Sequence, residues 1–490
     1  MLELKLIRRA ALGLIAFVTL AGSVSSAKDP APLRVHAGGR VLIGEADRPV
    51  FLLADTAWSL VARSSREDAD LYLRKRKSQG FNAVALVLAV PNGTELTRGP
   101  ANFYGALPFV RVNNHFDPAR PITTAGNDPA DPNQYDYWDH VDHVVGLIRS
   151  HGLYAILLPT WGTGIAGSYD GKDTKDIIFD APKAGAYGGW LARRYGSQPH
   201  VLWMIGGDRS AVYGENDYRP VFRALAAGFA RLAPAQLLSF HPRKAAPQSG
   251  DWFHQDSWLA FNSNQHWPER QVEAIAADWA REPAKPTWLF EGRYEGYWRG
   301  NAKPGDWGAW QVRQQAYQTV FAGAFGHTYG HERVFGFGAD GMDWKAFLDA
   351  PGAVNMSHLA RLMATFQPDE LLTRVPDQAL LATPSSPPER LRSNYIAATR
   401  AGSGSLAMFY SASGRPIEVR LERLPAGTRF AYWFNPRSGQ WHRDGREFHD
   451  ARAFATAVKA GPGAENREFV PPTNGEDADW VLVLASRERF

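Results

Sequence analysis

Between residues 48 and 330, short apolar runs rich in β-branched residues alternate with longer stretches whose apolar positions recur every three or four residues. The short runs lie at 48–54, 81–90, 153–159, 201–205, 236–240, 258–262, 286–290 and 326–330. They are too short for helices and show little alternation of apolar with polar, the texture of parallel strands buried on both faces. The longer stretches read as helices. One starts at Ser65, with Asp68 as a capping acid and Ala69, Tyr72 and Leu73 on one face. Another carries Trp138, Val141, Val145 and Ile148, and further helices are expected at 184–195, 220–232, 271–281 and 311–324. Eight such repeats close a (β/α)₈ TIM barrel, whose site is built at the C-terminal strand ends. An open doubly wound sheet is the competing topology, but no glycine fingerprint for a dinucleotide or phosphate is present.

Before this alternation, two β-like runs flank a turn at Gly38 and Gly39. Within it, the loop at 91–133 exceeds an ordinary connection and is expected to be a lid or a wall of the site. From about residue 370 the texture changes to short alternating runs punctuated by proline and glycine, among them SLAMFY, RFAYWFNP and WVLVLA. This predicts a small antiparallel β-sandwich at 370–490 after a barrel domain at 28–369.

Lys5, Arg8 and Arg9 precede an apolar run from Ala10 to Ala21, followed by the small residues Ser25, Ser26 and Ala27. Residues 1–27 therefore read as a signal peptide, and a secreted or periplasmic location without a stable membrane anchor is expected after cleavage. Loss of three basic residues and Glu3 takes the formal charge from +4 to +2, which argues against nucleic acid as a partner. Cysteine is absent, so an exported chain must rely on its core, without disulfides.

The chemistry-bearing residues cluster where strands are expected to end. VLWMIGGDR delivers Asp208 and TWLFEGRYEG delivers Glu291, each an acid beside glycine at the end of an apolar run. Either acid alone could cap a helix or pair with Arg209 or Arg293. Together they suggest a glycosidase pair, one carboxyl to protonate the leaving oxygen and one to attack or to activate water. Glu295 and Glu332 are rival acids set farther into their loops. Asp55, Trp58, Trp161, His241, Gln265, His266, His327 and Tyr329 also fall at predicted strand ends. They supply the bidentate polar groups and flat apolar faces that a carbohydrate requires. The histidines lack HExxH or other compact spacing, so neither a metal nor another cofactor is expected, and no GxSxG elbow points to an esterase. The alternative from another class is a non-catalytic glycan- or matrix-binding protein.

These residues also carry a resemblance. FLLADTAW, YAILLPTWG, AYGGWLARRYGSQPHVLWMIGGD, TWLFEGRYEG and GAFGHTYG are similar to successive blocks of the apiosidase-like glycoside hydrolases, family 140, over most of 33–366. AYWFNPRSGQW and FVPPTNGEDADWVLVL resemble the small β domain, labelled a collagenase-type collagen-binding domain, that accompanies this barrel. The resemblance implies a (β/α)₈ fold and release of apiose from complex pectin. It assigns acid/base catalysis to Asp208 and the nucleophile to Glu291, and supports Asp55, Trp58, Trp161, His327 and Tyr329 as pocket residues. His200 departs from the family's usual asparagine, ATFQPDELLTRVPDQ lacks the usual Arg-Pro-Trp, and the 91–133 loop is particular to this chain. These departures bear on which sugar is accepted.

Overall fold

The computed structural model describes residues 29–90, 99–244, 247–265, 270–297, 307–382 and 394–488. The expected signal peptide, His266 and the first part of the 91–133 loop lie outside these residues. Eight parallel strands form the barrel: β1 Leu52–Thr56, β2 Ala83–Val87, β3 Tyr154–Leu158, β4 Val201–Ile205, β5 Leu238–Phe240, β6 Asn262–Gln265, β7 Thr287–Glu291 and β8 Gly326–Tyr329. Continuous pairing runs β5-β4-β3-β2-β1-β8, and β6 pairs with β7. Backbone bonds from Ala260 to Leu238 and from Phe325 to Thr287 span the two remaining seams. The sixth strand starts four residues later than the hydrophobic run at 258–262 predicts. Its Asn262–Gln265 sequence is polar yet wholly buried, because Asn264 reaches Asp278 at 2.8 Å and the Gln265 amide donates to Gln248.

Helices α1 Arg66–Ser78, α2 Tyr137–Ser150, α3 Ala181–Tyr195, α4 Arg219–Leu232, α5 Gln271–Trp279, α6 Ala309–Phe321 and α7 Pro351–Met363 surround the strands. Their starts follow capping chemistry. Ser65 accepts the Asp68 amide at 3.1 Å, and Asp136 caps α2 in a reciprocal box with Asp139. The described part of the long loop folds into a hairpin, Phe109–Val112 with His115–Pro121. It is rooted on the helix layer: Phe109 packs on Trp138 and Tyr187, and Trp138 donates to the Pro108 carbonyl.

The C-terminal domain is antiparallel. β9 Ile396–Arg400, β10 Leu406–Ser411, β11 Gly427–Asn435 and β12 Trp480–Ala485 lie in one sheet in the order β9-β10-β12-β11. Alternation explains its two buried faces. Phe409, Leu482, Leu484 and Trp433 turn toward a second, two-stranded layer made by Ile417–Val419 and Arg467–Phe469. Met408, Tyr410, Val481, Val483, Tyr432 and Phe434 turn the other way and join one apolar cluster with Val312, Ala316, Tyr317 and Val320 of α6. The barrel therefore supplies the surface that covers one face of the β domain's large sheet.

Candidate active site

The GGD turn after β4 is built by sterics. Gly206, Gly207 and Asp208 all have positive φ, at 107°, 58° and 59°. A Cβ on Gly206 would come within 2.3 Å of the His241 carbonyl, and one on Gly207 within 2.5 Å of the Gly162 nitrogen. Only glycines allow the β3, β4 and β5 ends to close this tightly. The turn holds Asp208 in a left-handed conformation at the mouth, with Arg209 Nη1 at 3.6 Å from its carboxylate. Arg209 is itself fixed on the Gly167 carbonyl and the Thr163 hydroxyl.

Glu291 is the last residue of β7, and the structure brings it to the same place. One ligating atom each from Asp208, His241 and Glu291 lie within 4.8 Å of one another. His241 Nε2 stands 2.8 Å from Glu291 Oε2, close but not aligned as a hydrogen bond. On the other oxygen, Tyr294 donates to Glu291 Oε1 at 2.7 Å, and Trp58 Nε1 donates in turn to the Tyr294 hydroxyl at 2.7 Å. Burial and the Glu291 charge push the Tyr294 phenol well above its ordinary value, so it remains a donor across the working pH range. Trp58, Trp161 and His241 form an aromatic corner, with ring centroids 5.7 to 6.0 Å apart. Gln265 pairs in register with Glu291 on the adjacent strand. The Asp208–His241–Glu291 donor set could chelate a divalent ion; two carboxylates and an imidazole at this spacing equally suit acid, base and nucleophile.

Three expected pocket residues go elsewhere. In the parallel register His327 lies beside Leu53, and Tyr329 beside Asp55. These positions share the strand face turned to the helix layer, where Leu53 and Tyr329 pack with α6 and α7. Asp55 is fully buried and binds Arg76 Nε at 2.5 Å and the Tyr72 hydroxyl at 2.6 Å, both from α1. Burial raises its carboxyl while Arg76 and Tyr72 pull it back. Tyr329 donates to Glu295, and His327 is fully buried with its imidazole pushed down to about 3 by desolvation. The placement of Asp55, His327 and Tyr329 in the pocket is thus corrected: one residue of register moves a side chain from the barrel interior to the helix layer. The rival acid Glu295 is also structural. It accepts the Gly352 amide at 3.0 Å at the start of α7, where Gly352 leaves no room for a Cβ.

Sequence reasoning passed over Tyr294, Tyr169 and Arg243. Tyr294 lay inside the same TWLFEGRYEG block as Glu291, three residues on. Arg243 stacks on Tyr169 at 4.2 Å, and burial with the neighbouring Asp208 charge pushes the Tyr169 phenol up to about 12. Nothing in the local pattern of either residue separates it from an ordinary loop position.

Comparison with known proteins places this geometry. Residues 36–368 match the model described as "Apiosidase-like, catalytic domain". The chain belongs to the apiosidase-like family. Residues 375–485 match the model described as "Putative collagen-binding domain of a collagenase". Among solved structures, a glycoside hydrolase family 5 protein from Bacteroides vulgatus ATCC 8482 is 27% identical with a TM-score of 0.75, covering 93% of this chain and 94% of that one. A second, named only as a glycoside hydrolase, is also 27% identical with a TM-score of 0.75, covering 94% and 98%. Another Bacteroides vulgatus structure, 13% identical with a TM-score of 0.61 over 93% of this chain and 82% of that one, shares the fold. No curated protein matches. This apiosidase-like protein is a glycoside hydrolase with a TIM-barrel catalytic domain.

Proposed function

We propose that this is an exported enzyme that cleaves a plant or microbial polysaccharide with retention of configuration, using Asp208 as acid/base and Glu291 as nucleophile. The observation that carries this reading is the closeness of the two acids: one carboxylate oxygen of Asp208 lies within 4.8 Å of one of Glu291. Retaining enzymes hold their carboxyl groups about 5 to 5.5 Å apart, whereas inverting enzymes leave room for water at about 6.5 to 9.5 Å. Asp208 protonates the departing glycosidic oxygen as Glu291 attacks the anomeric carbon and forms a glycosyl ester. Asp208 then takes a proton from water, which displaces Glu291 and restores both groups. Tyr294 holds one oxygen of the nucleophile so that the other faces the sugar. Trp58 and Trp161 offer apolar ring faces, and His241 and Gln265 offer polar contacts to hydroxyls.

The family match favours an apioside in pectin as substrate, and the N-terminal pattern favours export. The test is incubation with pectic, hemicellulosic and arabinogalactan substrates, with identification of the released sugar and NMR of its first-formed anomer. Release of apiose with the anomeric configuration of the substrate is expected. Another released sugar would overturn the substrate, and an inverted first product would overturn the nucleophilic role of Glu291.

A further inference from the structure

Helix α6 is buried on all sides from Val312 to Phe321, although this run contains Arg313, Gln314, Gln315, Gln318 and Thr319. Buried polar side chains need partners, and Arg313, Gln314 and Gln315 of α6 find them in two different places. Trp310, Arg313 and Tyr317 share one helix face by their spacing, and all three meet the C-terminal domain. Trp310 Nε1 donates to the Ala412 carbonyl at 2.8 Å, and Tyr317 stacks on Tyr410 with centroids 4.8 Å apart. Arg313 grips Asp479 with two bonds, at 3.0 and 2.9 Å, and also reaches Asp477. Both Arg313 and Asp479 are almost fully buried.

The neighbouring face of α6 holds the loop that carries the nucleophile. Gln315 accepts the Arg293 amide at 2.6 Å and returns a bond to the Arg293 carbonyl. Arg293 Nη1 donates to the Gln311 carbonyl and to Gln314, each at 2.9 Å. A Cβ on Gly292 would sit 2.4 Å from Gln315, so loop and helix are in tight contact. Two residues beyond Glu291 the chain is therefore pinned to α6, and three beyond it Tyr294 bonds to Glu291 itself.

We propose that the C-terminal β domain is a positioning element of the catalytic site, acting through α6. Asp479, by fixing Arg313, sets the rotation and depth of the helix whose glutamines hold Gly292–Tyr294 and thereby orient Glu291. The domain's contribution is thus to the catalytic step, whether or not it also touches any partner. The proposal rests on the assignment of Glu291 as nucleophile only where turnover is read; its structural arm needs no substrate.

The test uses the full chain and three variants. Asp479→Asn weakens the grip on Arg313, Trp310→Phe removes one interdomain hydrogen bond with little change of shape, and Leu482→Ala opens a cavity on the sheet face turned away from the barrel. Amide hydrogen exchange over 292–297 and kcat against KM are measured well below each variant's unfolding temperature. Asp479→Asn is expected to speed exchange in that segment at least about tenfold and to lower kcat about tenfold with KM within twofold. Trp310→Phe should move both in the same sense but less, and it decides the matter if Asp479→Asn does not fold. Leu482→Ala should lower the unfolding temperature and move neither. Wild-type exchange in both interface variants, or the same loosening in Leu482→Ala, would overturn the proposal. Loss of activity in Glu291→Gln without change in exchange concerns the chemical assignment alone, so the two failures are distinguishable.

Discussion

Two polar clusters lie on the two faces of the same barrel wall, and their inventories nearly coincide. The mouth holds two acids, a histidine and a tyrosine: Asp208, Glu291, His241 and Tyr294. The belt between strands and helices also holds two acids, a histidine and a tyrosine: Asp55, Glu295, His327 and Tyr329. What separates them is closure and charge balance. The belt is sealed, and Arg76, fully buried, answers Asp55 directly; Glu295 spends its oxygens on a tyrosine and a helix start. At the mouth two carboxylates approach each other and Arg209 stands at 3.6 Å, beyond hydrogen-bonding distance. A residue inventory cannot tell a catalytic cluster from a structural one; how tightly the counter-charge is bonded, and whether the acids keep some exposure, can.

The contrast breaks most sharply at the acids. Glu291→Gln should lower kcat by at least about 10⁴-fold, the scale of nucleophile removal, while the unfolding temperature stays near that of the wild type. Asp55→Asn should do the reverse. Leaving Arg76 buried without its carboxylate costs about 3 to 5 kcal/mol of stability, read by urea unfolding, with normal kcat in the protein that remains folded. If Asp55→Asn were stable but inactive, the belt and the mouth would have to be exchanged.

Asp208→Asn is expected to cost about 10²- to 10⁴-fold in kcat on a natural glycoside, and much less on an aryl glycoside whose leaving group needs no proton. The histidines sharpen the comparison through pH. The imidazole of His327 lies at about 3 in the fold, below its unfolded value, so the unfolded state binds the extra proton as pH falls below about 6.5. Its contribution is intact above that pH and is lost on acidification; between pH 7 and pH 5 this site alone removes about 2 kcal/mol. His327→Gln should flatten the acid limb of the stability profile by that amount. The smallest effects separate the two tyrosines. Tyr294→Phe loses a hydrogen bond to the nucleophile worth about 1 to 2 kcal/mol, a drop in kcat of roughly 5- to 30-fold, whereas Tyr329→Phe loses a similar amount in stability and leaves kcat unchanged.

The eight-strand alternation made the barrel legible, and the glycine-flanked acids in GGD and EGRYEG made Asp208 and Glu291 legible. The faces of the strands were not. In FLLADT both faces are buried, one against the barrel interior and one against α1, so no alternation of apolar with polar marks which way Asp55 points. The same ambiguity misplaced His327 and Tyr329. A different reason hid the interior of α6: Arg313, Gln314 and Gln315 read as solvent-facing, and their burial is explained only by the C-terminal domain packed against Arg313 and the Gly292–Tyr294 loop packed against the glutamines. The strand at Asn262–Gln265 was displaced for a like reason, since four polar residues do not read as core until their partners are known. Trp433 and Tyr432, adjacent in sequence, turn to opposite faces of the β sheet, which settles one as internal packing and the other as interface.

The apolar cluster shared by α6 and the large β sheet has a thermodynamic consequence. Since neither unit has a solvated face at their junction, melting one would strand the other's hydrocarbon in water. Heating should therefore yield one calorimetric peak spanning both parts, with no separately surviving barrel.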